Sequence, residues 1–329
     1  MDLSTPKLIQ VAWYHQNLFY KIISFLWIIP ISLYQGFTST LVVVVGAHFV
    51  GTPFVVFAAR ALNRRVIFRS TLLGDDDPKT LALDKSIRGN YRRFVLEHCH
   101  GFLAINQSFA NQYQEFYGDK KPIIKVTQGI DTSRFNSKVR FTTSNTDTAH
   151  LNIISVGFLI GRKGYIDIFN VLSKLTIPFN YVVVSNNIFP KAVTLNEDLD
   201  RIVSCGNEML KGRITFFESV ENVEELYGKA DVLLHNSSKE GMPNVVMESM
   251  ACGVIPVVRE LPGFRDYLVE DRCNGFLFSE IEEVNPFLEY LYSNYKEKIK
   301  LSEAASKYAL DNFSFEKTWQ EIRKPWGYA

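Results

Sequence analysis

Within the stretch KEGMPNVVMESMACG, Lys239 to Gly253, two carboxylates, Glu240 and Glu248, stand with seven residues between them. Pro243 suits the first position of a helix, where its missing N–H is not needed. Gly253 suits the cap at the other end. Asn244 and Glu248, four apart, share one helix face, and Val246, Met247 and Met250 lie on another that can enter a core. The N-terminus of such a helix presents free N–H groups and the positive end of the dipole, which is a ready anion site. One carboxylate precedes it and the other lies a turn and a half inside. An anion read between two carboxylates is the chemistry this spacing fits.

A second anion feature is VGFLIGRKG, Val156 to Gly164, in which Arg162 and Lys163 sit between Gly161 and Gly164. Glycines let a ligand approach the backbone closely, and adjacent cations can clamp a diphosphate. Alone, GRKG is equally a solvated turn; it gains meaning when paired with the Glu240 loop across one sheet edge. Asp75, Asp76 and Asp77 offer a competing chemistry, an acidic pair holding a divalent cation against a diphosphate. The run precedes Pro78 and opens a helix, where acidic residues are favoured anyway, and metal chemistry would leave the Glu240–Glu248 unit unexplained. No metal or other cofactor is expected. Cys99, Cys205, Cys252 and Cys273 are scattered without ligand spacing, as thiols of a reducing compartment are, and a cytoplasmic location is expected.

These residues need elements to hold them. Short apolar, β-branched runs alternate with helical patterns, the signature of parallel sheets covered by helices on both faces. In the first half the runs are Leu41–Val45, Arg65–Arg69, Phe102–Asn106 and Ile123–Thr127, with helices TPFVVFAARALN and one long PKTLALDKSIRGNYRRFVLEHCH between them. A polar segment at residues 132–150 reads as a linker. A second series begins at LNIISVG and continues through YVVVS, ITFFE, DVLLH and VIPVV. The layout is two doubly wound domains, 1–131 and 151–310, with a last helix in 311–329. In such pairs ligands bind in the cleft at the carboxyl ends of the strands. Residues 1–145 carry 17 Lys and Arg against 9 Asp and Glu, and residues 146–329 carry 19 against 26. A basic half joined to an acidic half points to different partners for each. The apolar run Ile22–Leu33, broken by Pro30, is too short for a span of about 20 residues and is expected to be a packed helix of the first domain, the alternative being a helix lying in a membrane interface.

The second half resembles the C-terminal domain of the family 4 (group 1) retaining glycosyltransferases of the GT-B fold. The resemblance is carried by SVGFLIGRKG, ENVEELYGKADVLLHNSSKEGMPNVVMESMACGVIPVV and LPGFRDYLVEDRCNGFLF, in that order over about Leu151 to Phe278. It continues more faintly in KVTQGIDTSRF and in FSFEKTWQEI, which is similar to the terminal helix that crosses back to the first domain. Residues 1–40 resemble the helix that follows the family's opening strand and glycine-rich loop, so a shortened first domain is expected.

The resemblance implies a nucleoside diphosphate sugar as donor, lying on the second domain, and metal-independent transfer with retention. Glu248 would accept hydrogen bonds from ribose hydroxyls, and Glu240 would sit beside the transferred sugar. Arg162, Lys163, Gly161 and the amides of Gly241, Met242, Pro243–Asn244 and Val245 would hold the diphosphate. The base would pack near Phe217 to Val220. Many relatives carry an arginine where this chain has Phe158, and a histidine where it reads FRSTLLGDDDP. Arg69, Ser70, Thr71 and Asp75 are the acceptor-side candidates there, with His48 after the first strand as another. The expected acceptor is a glycan or lipid-linked glycan, at an anionic membrane surface facing the basic half. The alternative is a non-catalytic partner subunit that keeps the nucleotide-sugar site. A nucleic-acid partner is disfavoured by the acidic second half.

Overall fold

The computed structural model describes residues 41–46, 52–138, 149–185, 193–217, 220–265 and 267–324. The Ile22–Leu33 helix, the expected loss of the opening strand and loop, and His48 all lie outside the described residues.

The first half builds a four-stranded parallel sheet in the order β1 (Leu41–Val45), β2 (Arg65–Arg69), β3 (Gly101–Ala104), β4 (Ile123–Lys125). Val43 stands opposite Ile67, Ile67 opposite Gly101 and Phe102 opposite Ile123. Val66, Ile67, Phe68, Phe102 and Leu103 are buried, as expected of strands covered on both faces. The covering helices are α1 (Thr52–Ala61), α2 (Pro78–Leu83), α3 (Ile87–His98) and α4 (Gln107–Tyr117). The single long helix expected from Pro78 is two. Asp84 turns extended after α2, and Ser86 caps α3, its Oγ accepting Gly89 N–H at 3.0 Å. Gly89 permits the break, because a Cβ there would meet Asp84 O at 2.3 Å.

The second sheet has six parallel strands in the order β10-β9-β8-β5-β6-β7. These are β5 (Leu151–Val156), β6 (Phe179–Val184), β7 (Ile214–Phe217), β8 (Val232–His235), β9 (Ile255–Arg259) and β10 (Phe276–Phe278). β10 is not among the expected strands: only three residues long and boxed between turns, it has too little sequence to show a period. Helices α5 (Tyr165–Ser173), α6 (Val193–Leu210), α7 (Val223–Lys229), α8 (Asn244–Ala251), α9 (Val284–Ser293) and α10 (Tyr295–Asn312) follow the strands. The chain grows outward from β5 to β7, then returns to β5's other side for β8. The order therefore reverses between β5 and β8, and the loops leaving those two strands diverge around a crevice, where open α/β sheets bind ligands.

A single hydrophobic cluster runs from Val66, Phe68, Phe102 and Phe109 of the first half to Met242, Met247, Met250, Ala305 and Ala309 of the second. A second cluster, around Phe169, Tyr181, Phe276 and Leu288, lies within the second half. The last helix, α11 (Phe315–Arg323), packs on the segment after β4. Thr127 N–H donates to Glu321 Oε2 at 2.9 Å, Thr318 Oγ1 donates to Thr127 O at 2.8 Å, and Ile130 N–H donates to Phe313 O at 2.7 Å. No helix among the described residues is long and apolar enough to cross a membrane. Two parallel sheets covered by helices, the second with its strand order reversed between β5 and β8, make this an α/β fold of GT-B type.

Candidate active site

Lys163 arrives from β5. Gly157 ends the strand with φ of 149°, residues Gly161–Lys163 form one turn of 3₁₀ helix, and Gly164, with φ of 64°, opens α5. The left-handed φ and the space both require glycine, since a Cβ on Gly164 would meet Asn236 Nδ2 at 2.4 Å. Glu240 arrives from β8 across the crevice. The two loops are stitched together: Asn236 Nδ2 donates to Gly164 O at 3.1 Å, Ser238 N–H donates to Arg162 O at 2.8 Å, and Arg259 Nε donates to Asn236 Oδ1 at 2.7 Å.

At the centre of the crevice Lys163 Nζ donates to Glu240 Oε1. Arg162 Nη1 lies 3.5 Å from the same oxygen and donates to Lys239 O at 2.8 Å. His235 Nε2, buried, lies 3.3 Å from it without hydrogen-bond alignment. Burial alone would raise the Glu240 carboxyl, but His235 and Lys163 outweigh it and hold the group well below the usual carboxylate range. Burial pulls the Lys163 ammonium down, and Glu240 opposes the pull. Burial also lowers His235, with Glu240 opposing the pull. The product is a permanent carboxylate held by one lysine, with a second cation at its edge.

The helix start lies immediately beyond. Met242 and Pro243 are buried, Asn244 is exposed, and Val245 is half-buried. Pro243 occupies the N-cap position rather than the first helical one, and no side chain caps this end. Val246 N–H donates to Pro243 O at 3.1 Å, and no side chain caps the N–H groups of Asn244 and Val245. Gly241 has no room for a side chain: its Cβ would sit 2.0 Å from Thr71 O. Its carbonyl accepts Asn106 Nδ2 at 3.0 Å. Gly161 is exposed, with nothing within 4 Å of where a Cβ would stand, which leaves that side open to a ligand.

Glu248 is half-buried on α8. Burial pushes its carboxyl up to about 7, with Arg134 opposing and Glu224 adding to the rise. Arg134 itself is bound to Glu224 at 2.7 Å and to Glu221 O at 2.5 Å. Val220 is half-buried against the shared cluster. Phe217, 39% exposed, ends β7. A pocket of about 440 Å³ opens at the ends of β5, β6 and β7, lined by Leu159, Ser185, Leu199, Val203, Phe216 and Phe217.

On the opposite wall, Arg69 ends β2 and its Nη2 donates to Gln128 Oε1 at 2.6 Å; Gln128 Nε2 in turn donates to Asn244 Oδ1. Ser70 is buried, its Oγ donating to Asp76 O at 2.9 Å and lying 2.7 Å from Tyr113 Oη. Asp75 pairs with buried Arg92 at 3.2 Å. Asp76 accepts the Thr71 and Leu72 N–H groups at 2.8 and 2.9 Å, and Asp77 caps α2. The aspartate run is thus occupied in folding its own loop. Among the described residues no group of three or more His, Cys, Asp and Glu is placed to hold a metal ion.

Sequence reasoning did not single out His235, Asn106, Arg134 or Gln128. His235 had a signal, as the final residue of a strand pointing at the Glu240 loop. Asn106 and Gln128 act on residues more than a hundred positions away, and no local pattern marks them.

The family model for glycosyl transferases group 1 matches residues 141–310, just over half of the chain. An uncharacterized glycosyltransferase of Haemophilus influenzae is 27% identical over 177 residues, 51% of this chain and 47% of that protein. The N-acetyl-alpha-D-glucosaminyl L-malate synthase of Bacillus anthracis is 24% identical over 226 residues, 67% of this chain and 56% of that protein. The chain thus spans about half the length of these curated relatives. Among solved structures, Anabaena HepE in complex with UDP and glucose aligns with a TM-score of 0.73 at 15% identity, covering 91% of this chain and 80% of that one. By the extent of the family match, the chain belongs to the group 1 glycosyltransferases.

Proposed function

We propose that the chain transfers a sugar, with retention and without a metal, from a nucleoside diphosphate sugar to a glycan or lipid-linked glycan. The observation that carries the reading is the meeting of Lys163 and Glu240 at the reversal of strand order, beside a helix start that no side chain caps. A diphosphate against α8 takes up the free N–H groups and draws Lys163 and Arg162 onto its oxygens. Glu248 takes the ribose hydroxyls, since one carboxylate accepts two hydrogen bonds. Glu240 orients the sugar and offsets positive charge at the reacting carbon.

The bond from that carbon to the diphosphate oxygen breaks as the bond to the acceptor oxygen forms on the same face. The bonding pair leaves with the nucleoside diphosphate, where Lys163, Arg162 and the helix dipole stabilise it. The acceptor's proton goes to the departing phosphate oxygen. A uridine nucleotide is the base we favour, because HepE, of the same fold, is a UDP complex. The basic first half supports an acceptor presented at an anionic membrane surface.

The test is thermal unfolding with UDP, GDP and ADP and their sugars, in chelator, followed by sugar release. A ligand at 100 times its Kd raises stability by about 2.7 kcal/mol. UDP is expected to shift wild type, and Lys163→Ala is expected to stay folded while losing turnover roughly a hundred- to thousand-fold. Near-normal turnover in that variant refutes the role given to Lys163. A second reading, a partner subunit that binds the nucleotide sugar without turnover, draws on Ser70 and Asp75 being committed to Tyr113 and Arg92. Donor binding with neither transfer nor hydrolysis would favour it.

A further inference from the structure

Arg69 is a half-buried cation that no carboxylate among the described residues contacts. It closes β2 at the carboxyl end, the edge of the sheet that faces the crevice. Of its three nitrogens, Nη2 is fixed to Gln128 Oε1 at 2.6 Å. Nε is sealed from solvent and makes no hydrogen bond among the described residues. Nη1 has no hydrogen-bond partner among the described residues, and no carboxylate among them forms an ion pair with the group. Asp76, the carboxylate that acts on it through space, spends its own oxygens on the N–H groups of Thr71 and Leu72 and on the Thr71 hydroxyl.

A guanidinium keeps its charge under burial, and a partly buried one whose sealed Nε has no partner among the described residues is unfavourable. Gln128 fixes the plane of the fork and ties it, through Asn244, to the uncapped start of α8. A planar fork of N–H donors held rigid at a cleft wall matches the two oxygens of a carboxylate or phosphate. We propose that Arg69 is a second anion subsite, on the first-domain wall, that receives a phosphate or carboxylate group of the acceptor while α8 and Lys163 receive the donor diphosphate. The acceptor class that follows is an acidic one: a phosphorylated or carboxylated sugar or lipid-linked sugar.

This rests on reading α8 as the donor site, and the test separates the two. Inorganic phosphate is titrated calorimetrically into the full chain, with and without saturating UDP, for wild type, Arg69→Met and Arg69→Lys. Expected is a phosphate site that persists with UDP bound, weakens at least tenfold in Arg69→Met, and leaves UDP affinity unchanged. If instead UDP displaces the phosphate and Arg69→Met weakens UDP itself tenfold, the anion at Arg69 is the donor's own, and the acceptor assignment is overturned. Equal phosphate binding in wild type and Arg69→Met, or none in wild type, overturns the subsite. If wild type does not bind UDP, the donor reading fails while the titration without UDP still reads Arg69. Should Arg69→Met not fold, by circular dichroism, Arg69→Lys carries the test: it keeps the charge but loses the fork, so weakening is expected and unchanged affinity refutes the geometry.

Discussion

Glu240 and Glu248 are eight positions apart in one loop-helix unit, yet their surroundings drive their carboxyl groups in opposite directions. Glu240 sits among Lys163, His235 and Arg162 and is an anion at any working pH. Glu248 is half-buried on α8 within electrostatic reach of Arg134 and Glu224, and burial takes it up to about 7. A carboxylate binds ribose hydroxyls better than a carboxylic acid does, because both its oxygens only accept. Donor affinity is therefore expected to rise with pH through 7, and Glu248→Gln is expected to flatten that rise and weaken binding. The stability signature has the opposite sign. The native state holds this proton more tightly than the unfolded chain, whose value is near 4.5, so raising pH from there to about 7 removes stability. The slope is at most about 1.4 kcal/mol per pH unit. Glu248→Gln, measured by denaturant titration at pH 5 and pH 8, gains relative to wild type at the higher pH. Equal differences at both would show that Glu248 titrates normally.

The elements carrying these residues differ in how openly the sequence announces them. A parallel strand buried on both faces is an unbroken apolar run, and Leu41–Val45, Arg65–Arg69 and Val232–His235 are legible for that reason. The α8 helix is legible from its ends, Pro243 and Gly253, the latter at φ of 82°. The break at Asp84–Ser86 is not, because the helical period continues across it and only the fit of Gly89 against Asp84 decides the matter. The Glu240–Lys163 pairing is legible in kind, as opposite charges on loops of one sheet edge. The hold that the first half exerts on that loop is not, because Asn106 and Thr71 reach Gly241 only once both domains are folded. That hold is testable. A methyl group on Gly241 would meet a backbone oxygen at 2.0 Å, where nothing flexible can yield. Gly241→Ala should cost about 1–3 kcal/mol and displace the Glu240 loop, with turnover falling more than donor binding. A variant with wild-type turnover would show that this loop's position does not matter.

At the scale of the molecule, the two sheets do not behave as beads on a linker. Among the fastenings that join them are the hydrophobic cluster shared from Phe102 to Met250, the Arg134–Glu224 pair, and α11. Tyr267 Oη adds a bond to Val126 O at 2.9 Å. Interfaces between domains of one chain are usually modest and polar, and relative motion is the default. Here the apolar cluster is continuous, so exposing either half strips apolar surface from the other, and burial at roughly 25 cal/mol per Å² couples their unfolding. The expectation is one cooperative transition by calorimetry, with calorimetric and van't Hoff enthalpies in agreement. The helix Phe315–Arg323 is the fastening that can be cut without opening either core, since none of its own residues is buried. Thr127, which receives both Glu321 and Thr318, is the point on the first half that would be released. Replacing Thr318 and Glu321 by alanine removes those bonds while leaving the helix pattern intact. The double variant should lose one to a few kcal/mol, and its transition should broaden or split as the first half unfolds earlier. If wild type already melts in two steps, the shared cluster does not couple the domains. If the double variant melts as one sharp step at the wild-type temperature, the C-terminal helix is not what closes them.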